Sequence, residues 1–190
     1  MKKLLTIFFV LMAIGTHAQE NKTVPVNKQS VLNSIVNQEK DLITLSDQVW
    51  SFAEIAMKEQ QSAKVLSAYA EKKGFKITRN IADIPTAFIA EYGSGKPIIG
   101  ILGEFDALPG LSQKAQPTKE ALNVGAAGHG CGHNMFGAAS LGAAVAVKEL
   151  IASGKLKGTV RFYGTPAEEV LAGKVYMAIA GVFNDLDVCL

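Results

Sequence analysis

The segment IIGILGEFD, residues 98–106, decides the fold class of this chain. Its first five positions are almost entirely apolar, a pattern typical of a strand that is buried on both faces of a sheet. The apolar run stops before Glu104 and Asp106, so carboxylates follow directly on the strand. The segment therefore favours an α/β protein in which a polar loop begins where a core strand ends.

Helical and strand patterns alternate on both sides of this segment. Apolar spacing predicts helices before it and, after it, a helix rich in small residues. Turn residues and short apolar runs predict the remaining strands. The predicted helices cover residues 31–56, 60–73, 134–153 and 173–180, and the other strands cover 75–79, 86–92, 159–163 and 187 onward. This alternation predicts an α/β sandwich with a parallel-rich sheet.

The first residues have the pattern of a secretory leader. Lys2 and Lys3 precede a short apolar run, and small residues follow it before Gln19. We predict a signal peptide over residues 1–18, with an uncleaved anchor as the alternative. The protein is then expected to be periplasmic or secreted.

The remaining chain divides into a polar segment and one folded unit. Residues 19–29 are predicted to form a flexible tail, and residues 30–190 to fold together. The formal net charge is only +2 and the basic residues are scattered. Neither a nucleic acid nor, after leader cleavage, a membrane is expected as a partner.

The segment AGHGCGHN, residues 127–134, contains two imidazoles and one thiol separated by glycines. Thiolate and imidazole are preferred ligands of zinc and similar divalent metals. His129, Cys131 and His133 are therefore candidate ligands, and a glycine-rich turn with a chance cluster is the alternative. Cys131 could instead pair with Cys189 in an oxidising compartment, but a metal-bound thiolate explains its place beside two histidines better.

Two carboxylate pairs follow predicted strands. Glu104 and Asp106 come directly after the central strand, and Glu168 and Glu169 come after the strand at residues 159–163. Carboxylates at strand ends can bind metal or orient a ligand. Adjacent carboxylates repel each other, and a metal beside one of them would leave the other free to act as a base. The alternatives are a solvated turn for the first pair and an exposed acidic helix start for the second.

Taken together, the segments GEFDALPGL (103–111), GHGCGHN (128–134) and GTVRFYGTPAEE (158–169) resemble the co-catalytic metallo-amidohydrolases of peptidase family M20. That family includes aminoacylases, hippurate hydrolases and auxin-conjugate hydrolases. The Gly-Cys-Gly-His-Asn form and the Phe-Tyr-Gly strand are most similar to its aminobenzoyl-glutamate utilization group. The resemblance runs from about residue 31 to the end.

The resemblance implies a role for each matching residue. Cys131, His133 and Glu169 match metal ligands, and Glu168 matches the base that activates the attacking water. Asp106 matches a catalytic-site aspartate that orients His133 or a ligand. His129 matches a motif position close to the metals and is kept as a further candidate ligand.

The resemblance also implies the reaction and its cofactors. Such enzymes hold two divalent ions, Zn²⁺ or Mn²⁺, in a zinc-peptidase-like α/β/α sandwich with a mixed sheet. They hydrolyse amide bonds of N-acyl amino acids or small peptides, here of the aminobenzoyl-glutamate kind. The full-length protein is expected to be a homodimer.

The chain departs from the family pattern in two places. Bulky side chains stand at Val170 and Leu171, where the family usually has glycines. The family's remaining histidine ligands and its lid and dimerisation domain would lie beyond residue 190. We therefore expect this chain to be a C-terminally truncated, N-terminal part of the catalytic domain that is inactive alone. The alternative is a non-catalytic remnant or a metal-binding module.

Overall fold

The computed structural model of the protein describes residues 25–190. The predicted signal peptide, and with it the expectation of export, lies outside these residues. The first helix begins at Val26, so residues 26–29, predicted to belong to the flexible tail, form its first turn.

The elements follow the predicted alternation. Five helices and five strands occur in the described residues. In chain order they are α1 (Val26–Phe52), α2 (Gln60–Lys72), β1 (Lys76–Ile81), β2 (Ile84–Ser94), β3 (Ile98–Glu104), α3 (His133–Ala152), β4 (Gly158–Thr165), α4 (Glu168–Leu171), α5 (Gly173–Ile179) and β5 (Val188–Cys189).

The five strands form one mixed sheet in the order β1-β2-β4-β3-β5. β3 pairs in parallel with β4 and β5, whereas β2 pairs antiparallel with β1 and β4. The α/β fold and the mixed sheet are confirmed, but the predicted excess of parallel pairing is not. The pairings divide evenly because the hairpin of β1 and β2 is antiparallel and its second strand also joins β4 in the antiparallel direction.

The two faces of the sheet are buried under different elements. Along β2, Phe88 and Ala90 face a core formed with α1, α2 and α3. Ala87 and Ile89 point the other way, because side chains alternate along a strand, and pack near Met177 of α5. Helices therefore cover both faces, which gives the expected α/β/α sandwich.

Helix α3 is the central helix of the larger core. Over its 20 residues it is apolar enough to resemble a membrane span, yet half of these residues are buried in the fold. A Cβ atom on Gly137 would lie 2.7 Å from the carbonyl oxygen of Glu104. Glycine at this position therefore lets the first turns of α3 lie directly against the end of β3.

The connection between α1 and α2 is longer than the apolar spacing predicts. That spacing extends α1 to residue 56, but the helix ends where Ala53 adopts a left-handed conformation, with φ of 45°. Glu54 then accepts hydrogen bonds from the N–H groups of Gln61 and Ser62 at 3.0 and 2.9 Å. These bonds satisfy donors in the first turn of α2 that have no partner within the helix.

Candidate metal centre

The parallel pairing of β3 and β4 brings the two carboxylate pairs together. Glu104, the last residue of β3, is opposite Thr165, the last residue of β4. The segments that carry Asp106 and Glu168 therefore leave the sheet side by side. Helix α3 begins at the same edge with His133, so all three predicted motifs meet at the carboxyl ends of these strands.

Asp106 links the motifs through two contacts. Its Oδ1 lies 3.0 Å from Nδ1 of His133, and its Oδ2 accepts a hydrogen bond from the backbone N–H of Glu169 at 2.9 Å. The residue is 1% exposed. Because an ionised carboxylate only accepts hydrogen bonds, Nδ1 carries a proton, and in the neutral imidazole Nε2 is left with a lone pair.

The same contacts change the pKa values of both groups. Burial alone would raise the pKa of Asp106, but the bonds from His133 and the Glu169 N–H outweigh it and lower that pKa. Burial alone would lower the pKa of His133, but Asp106 and the nearby charges of Glu104 and Glu169 raise it. The metal-free site therefore favours an ionised Asp106 beside a protonated His133.

Three of the predicted ligands converge beside Asp106. Donor atoms of Cys131, His133 and Glu169 all lie within 4.8 Å of one another. Glu169 Oε1 is buried without a hydrogen-bond partner among the described residues. Cys131 is exposed as a residue, but partial desolvation of its thiol and the neighbouring charge of Glu169 raise its pKa. A cation here would pair the orphaned oxygen and favour the thiolate.

A second donor group shares His133. Glu104, His133 and Glu168 also offer atoms within 4.8 Å of one another. Nε2 of His133 lies 3.0 Å from Glu104 and 3.9 Å from Glu168. The ammonium of Lys174 forms an ion pair with the other oxygen of Glu104. A histidine nitrogen has one lone pair, so both groups cannot use Nε2 for separate ions at the same time.

The donor chemistry fits a divalent metal. Thiolate, imidazole and carboxylate are the usual zinc ligands, and the additional carboxylates also suit manganese. The described residues supply one three-donor group directly, with the carboxylates of Glu104 and Glu168 next to it. Such an arrangement leaves coordination positions open, as in catalytic rather than structural zinc sites.

His129 is placed differently from the other motif residues. Its Nε2 lies 3.0 Å from the backbone carbonyl oxygen of Val49 in α1, which only accepts, so Nε2 carries the proton. Its Nδ1 is buried without a partner among the described residues. Burial lowers the pKa of His129, which favours the neutral ring. It belongs to neither donor group, and its role as a ligand stays a prediction.

Two further residues near the centre differ in the sequence signal that they carry. Glu104 does carry a signal, since residues two apart on an extended segment point the same way, and Asp106 is two residues later. Glu59 carries none, because it stands in the polar run KEQQ, residues 58–61. It is fully buried, and its carboxylate accepts a hydrogen bond from the N–H of Ala167 at 2.9 Å.

Fold and site together define an α/β protein with a candidate metal centre at the strand ends. The model of peptidase family M20/M25/M40 matches residues 100–189. A subunit of the p-aminobenzoyl-glutamate hydrolase of Escherichia coli is 49% identical over 149 residues, which are 77% of this chain and 31% of that protein.

Two solved structures have the same fold. A protein from methicillin-resistant Staphylococcus aureus superposes with a TM-score of 0.71 at 26% identity, over 85% of this chain and 41% of its own. YXEP of Bacillus subtilis, described as a dinuclear metal-binding peptidase of family M20, gives a TM-score of 0.64 at 28% identity, over 80% of this chain and 42% of its own.

The match over residues 100–189 includes all three sequence motifs and assigns that part of the chain to peptidase family M20, a family of metallo-hydrolases that act on amide and peptide bonds. The chain spans about a third of the length of the E. coli relative. The family predicted from the three sequence motifs is therefore confirmed.

Proposed function

We propose that this chain supplies the Cys131, His133 and Glu169 part of a two-metal centre that hydrolyses the amide bond of N-acyl amino acids. The observation that carries the proposal is the convergence of these three donors. One of the carboxylate oxygens of Glu169 is buried there without a hydrogen-bond partner among the described residues. The E. coli relative, a p-aminobenzoyl-glutamate hydrolase by name, favours an aminobenzoyl-glutamate-like substrate.

Some residues of the chain would hold the metal ions, and another would transfer protons. Divalent ions, when bound, polarise the scissile carbonyl and lower the pKa of a water molecule. Asp106 keeps the proton of His133 on Nδ1, so that Nε2 points its lone pair toward the donor group. Cys131 and Glu169 complete that group from the loop before α3 and from the end of β4.

Glu168 is the residue placed for proton transfer. Its side chain is 39% exposed, against 15% for Glu169, so it lies on the open side of the centre. We assign to it the removal of a proton from the attacking water and the delivery of that proton to the leaving amine. A base of this kind contributes about 10²–10⁴-fold to the rate.

The described residues provide ligands for one ion more clearly than for two, because His133 Nε2 cannot serve both donor groups. We therefore propose that amide hydrolysis needs ligands beyond these, and that the 190-residue chain is inactive alone. Zn²⁺ or Mn²⁺ is the proposed metal, and YXEP provides the precedent for two ions.

Two measurements test the proposal. First, the metal-free chain is titrated with Zn²⁺ and Mn²⁺ against a chromophoric chelator, with His133→Ala as the control that should lose binding. Second, the longest in-frame product of the gene is assayed on p-aminobenzoyl-glutamate and on N-acetyl amino acids. Metal binding without hydrolysis by any in-frame product would instead support a metal-binding module, and absence of binding would contradict the centre itself.

A further inference from the structure

Glu59 is the only carboxylate among the described residues that is fully buried away from the donor atoms of the centre. It stands at the start of α2, at the end of the connection over residues 53–59. Burial of a carboxylate is costly unless its oxygens accept hydrogen bonds. The hydrogen bonds that Glu59 accepts therefore indicate its structural role.

The two oxygens of Glu59 accept three hydrogen bonds from three different segments. Oε1 accepts from the N–H of Met57 at 3.0 Å and from the N–H of Ala167 at 2.9 Å. Oε2 accepts from the hydroxyl of Thr86 at 3.0 Å. The side chain thus joins its own loop and strand β2 to the turn that follows β4.

Ala167 is held in an unusual conformation at that turn. It has a left-handed backbone with φ of 59°, which alanine adopts only when the surroundings enforce it. Its N–H is bound by Glu59, and its carbonyl accepts from the N–H of Gly173 at 3.1 Å. A Cβ atom on Gly173 would lie 2.1 Å from the carbonyl oxygen of Pro166, so the turn closes tightly.

The turn determines where the two glutamates of the centre lie. Glu168 and Glu169 follow Ala167 directly, and the N–H of Glu169 is bound by Asp106 at 2.9 Å. Two buried carboxylates therefore hold the backbone on either side of Glu168: Glu59 at the residue before it and Asp106 at the residue after it. Asp106 also contacts His133, whereas the hydrogen bonds of Glu59 reach no donor residue of the centre.

We propose that Glu59 is a positioning residue for the metal centre, which fixes the left-handed turn at Ala167 so that Glu169 and Glu168 face His133. The inference rests on the proposed metal centre but not on the identity of the substrate. Glu59 acts through the length of its side chain and its acceptor oxygens, not through its charge.

The test compares two substitutions that separate the effect of side-chain length from the effect of charge. Glu59→Gln keeps the length and an oxygen that can accept from Met57 and Ala167, while its amide can donate to the Thr86 hydroxyl. Glu59→Asp keeps the charge but is one methylene shorter. Leu66→Ala is the matched control, because Leu66 is fully buried in α2 and its truncation destabilises the fold without touching the turn.

The measurement is the Zn²⁺ dissociation constant of the 190-residue chain, by chelator competition, at a temperature where circular dichroism shows each variant folded. We expect Glu59→Asp to weaken Zn²⁺ binding by about 10–100-fold, the usual effect of losing a residue that orients a ligand. Glu59→Gln and Leu66→Ala should stay within about threefold of the unmodified chain.

The proposal is overturned if Glu59→Asp binds Zn²⁺ as tightly as the unmodified chain, or if Glu59→Gln loses as much affinity as Glu59→Asp. An equal loss in Leu66→Ala would also overturn it, because general destabilisation would then explain the effect. Failure of the unmodified chain to bind Zn²⁺ would contradict the proposed function instead, so the two failures are distinguishable.

Discussion

Replacing Asp106 by Asn tests whether this carboxylate sets the tautomer of His133. Asp106 accepts a hydrogen bond on each oxygen, from His133 Nδ1 and from the N–H of Glu169. An asparagine of the same shape has only one acceptor oxygen, and at 1% exposure water cannot replace the other. One of the two contacts must therefore place two donors against each other.

Each orientation of the new amide has a measurable consequence. If its NH₂ faces Glu169, a buried N–H loses its acceptor, which costs about 1–3 kcal/mol of folding free energy. If its NH₂ faces His133, Nδ1 must accept, and the imidazole proton moves to Nε2. That nitrogen can then no longer bind a metal without losing its proton, so affinity should fall about 10–100-fold, or about 1.4–2.8 kcal/mol.

The assay is a chelator competition for Zn²⁺ together with urea unfolding of the metal-free chain. Asp41→Asn is the matched control, because Asp41 is half exposed in a surface ion pair with Lys73 at 3.3 Å. Such pairs contribute at most about 1 kcal/mol, and this one is not in either donor group. The reasoning is refuted if Asp106→Asn matches the unmodified chain in both Zn²⁺ affinity and unfolding free energy.

Three other measurements address the remaining groups of the centre. Glu169→Gln should weaken Zn²⁺ binding by about tenfold or more, because a ligand is lost, while Glu168→Gln keeps the metal; exchanged phenotypes in a metal-content assay would reverse the role assignment. Bound Zn²⁺ should protect Cys131 but not Cys189, which is also exposed, from iodoacetamide, as read by peptide mass spectrometry, and equal labelling would exclude a Cys131 ligand. Burial raises the pKa of Glu59, so the folded state binds its proton more tightly than the unfolded state. The stability that this group contributes falls as the pH rises above its ordinary pKa of 4.5 toward the raised folded pKa. The advantage of Glu59→Gln over the unmodified chain in urea unfolding should therefore grow as the pH rises through this interval.

The sequence predicts the parts of the fold that depend on local pattern. The apolar run before Glu104 and the short apolar runs in β2 and β4 are local properties, and they locate the strands to within a few residues. Strand order is not local. The hairpin of β1 and β2 joins the sheet through β4, about 70 residues later, and no periodicity in either segment indicates that pairing.

For the candidate centre, too, the sequence predicts the local features but not the contacts between distant segments. Cys131, His133 and Glu169 stand out because their residue types carry chemistry and their motifs adjoin strand ends. The contact of His129 with the Val49 carbonyl cannot be found this way, because a backbone acceptor has no sequence signature. The same holds for Glu59, two of whose three partners are backbone N–H groups.

The arrangement of charge explains why the proposed centre would combine buried acids with a cation. The backbone N–H of Glu169 donates a hydrogen bond to Asp106. The carboxylate of Glu169 faces His133, and one of its oxygens is unpaired among the described residues. In the metal-free chain, the pKa of His133 is raised, so a proton on its imidazole provides part of the positive charge that a metal ion would bring. A metal at Nε2 must displace that proton, so metal binding and protonation of His133 compete for the same lone pair. Asp106 serves both states equally, because Nδ1 keeps its hydrogen in each, and a carboxylate at that position can therefore organise the site before any metal arrives.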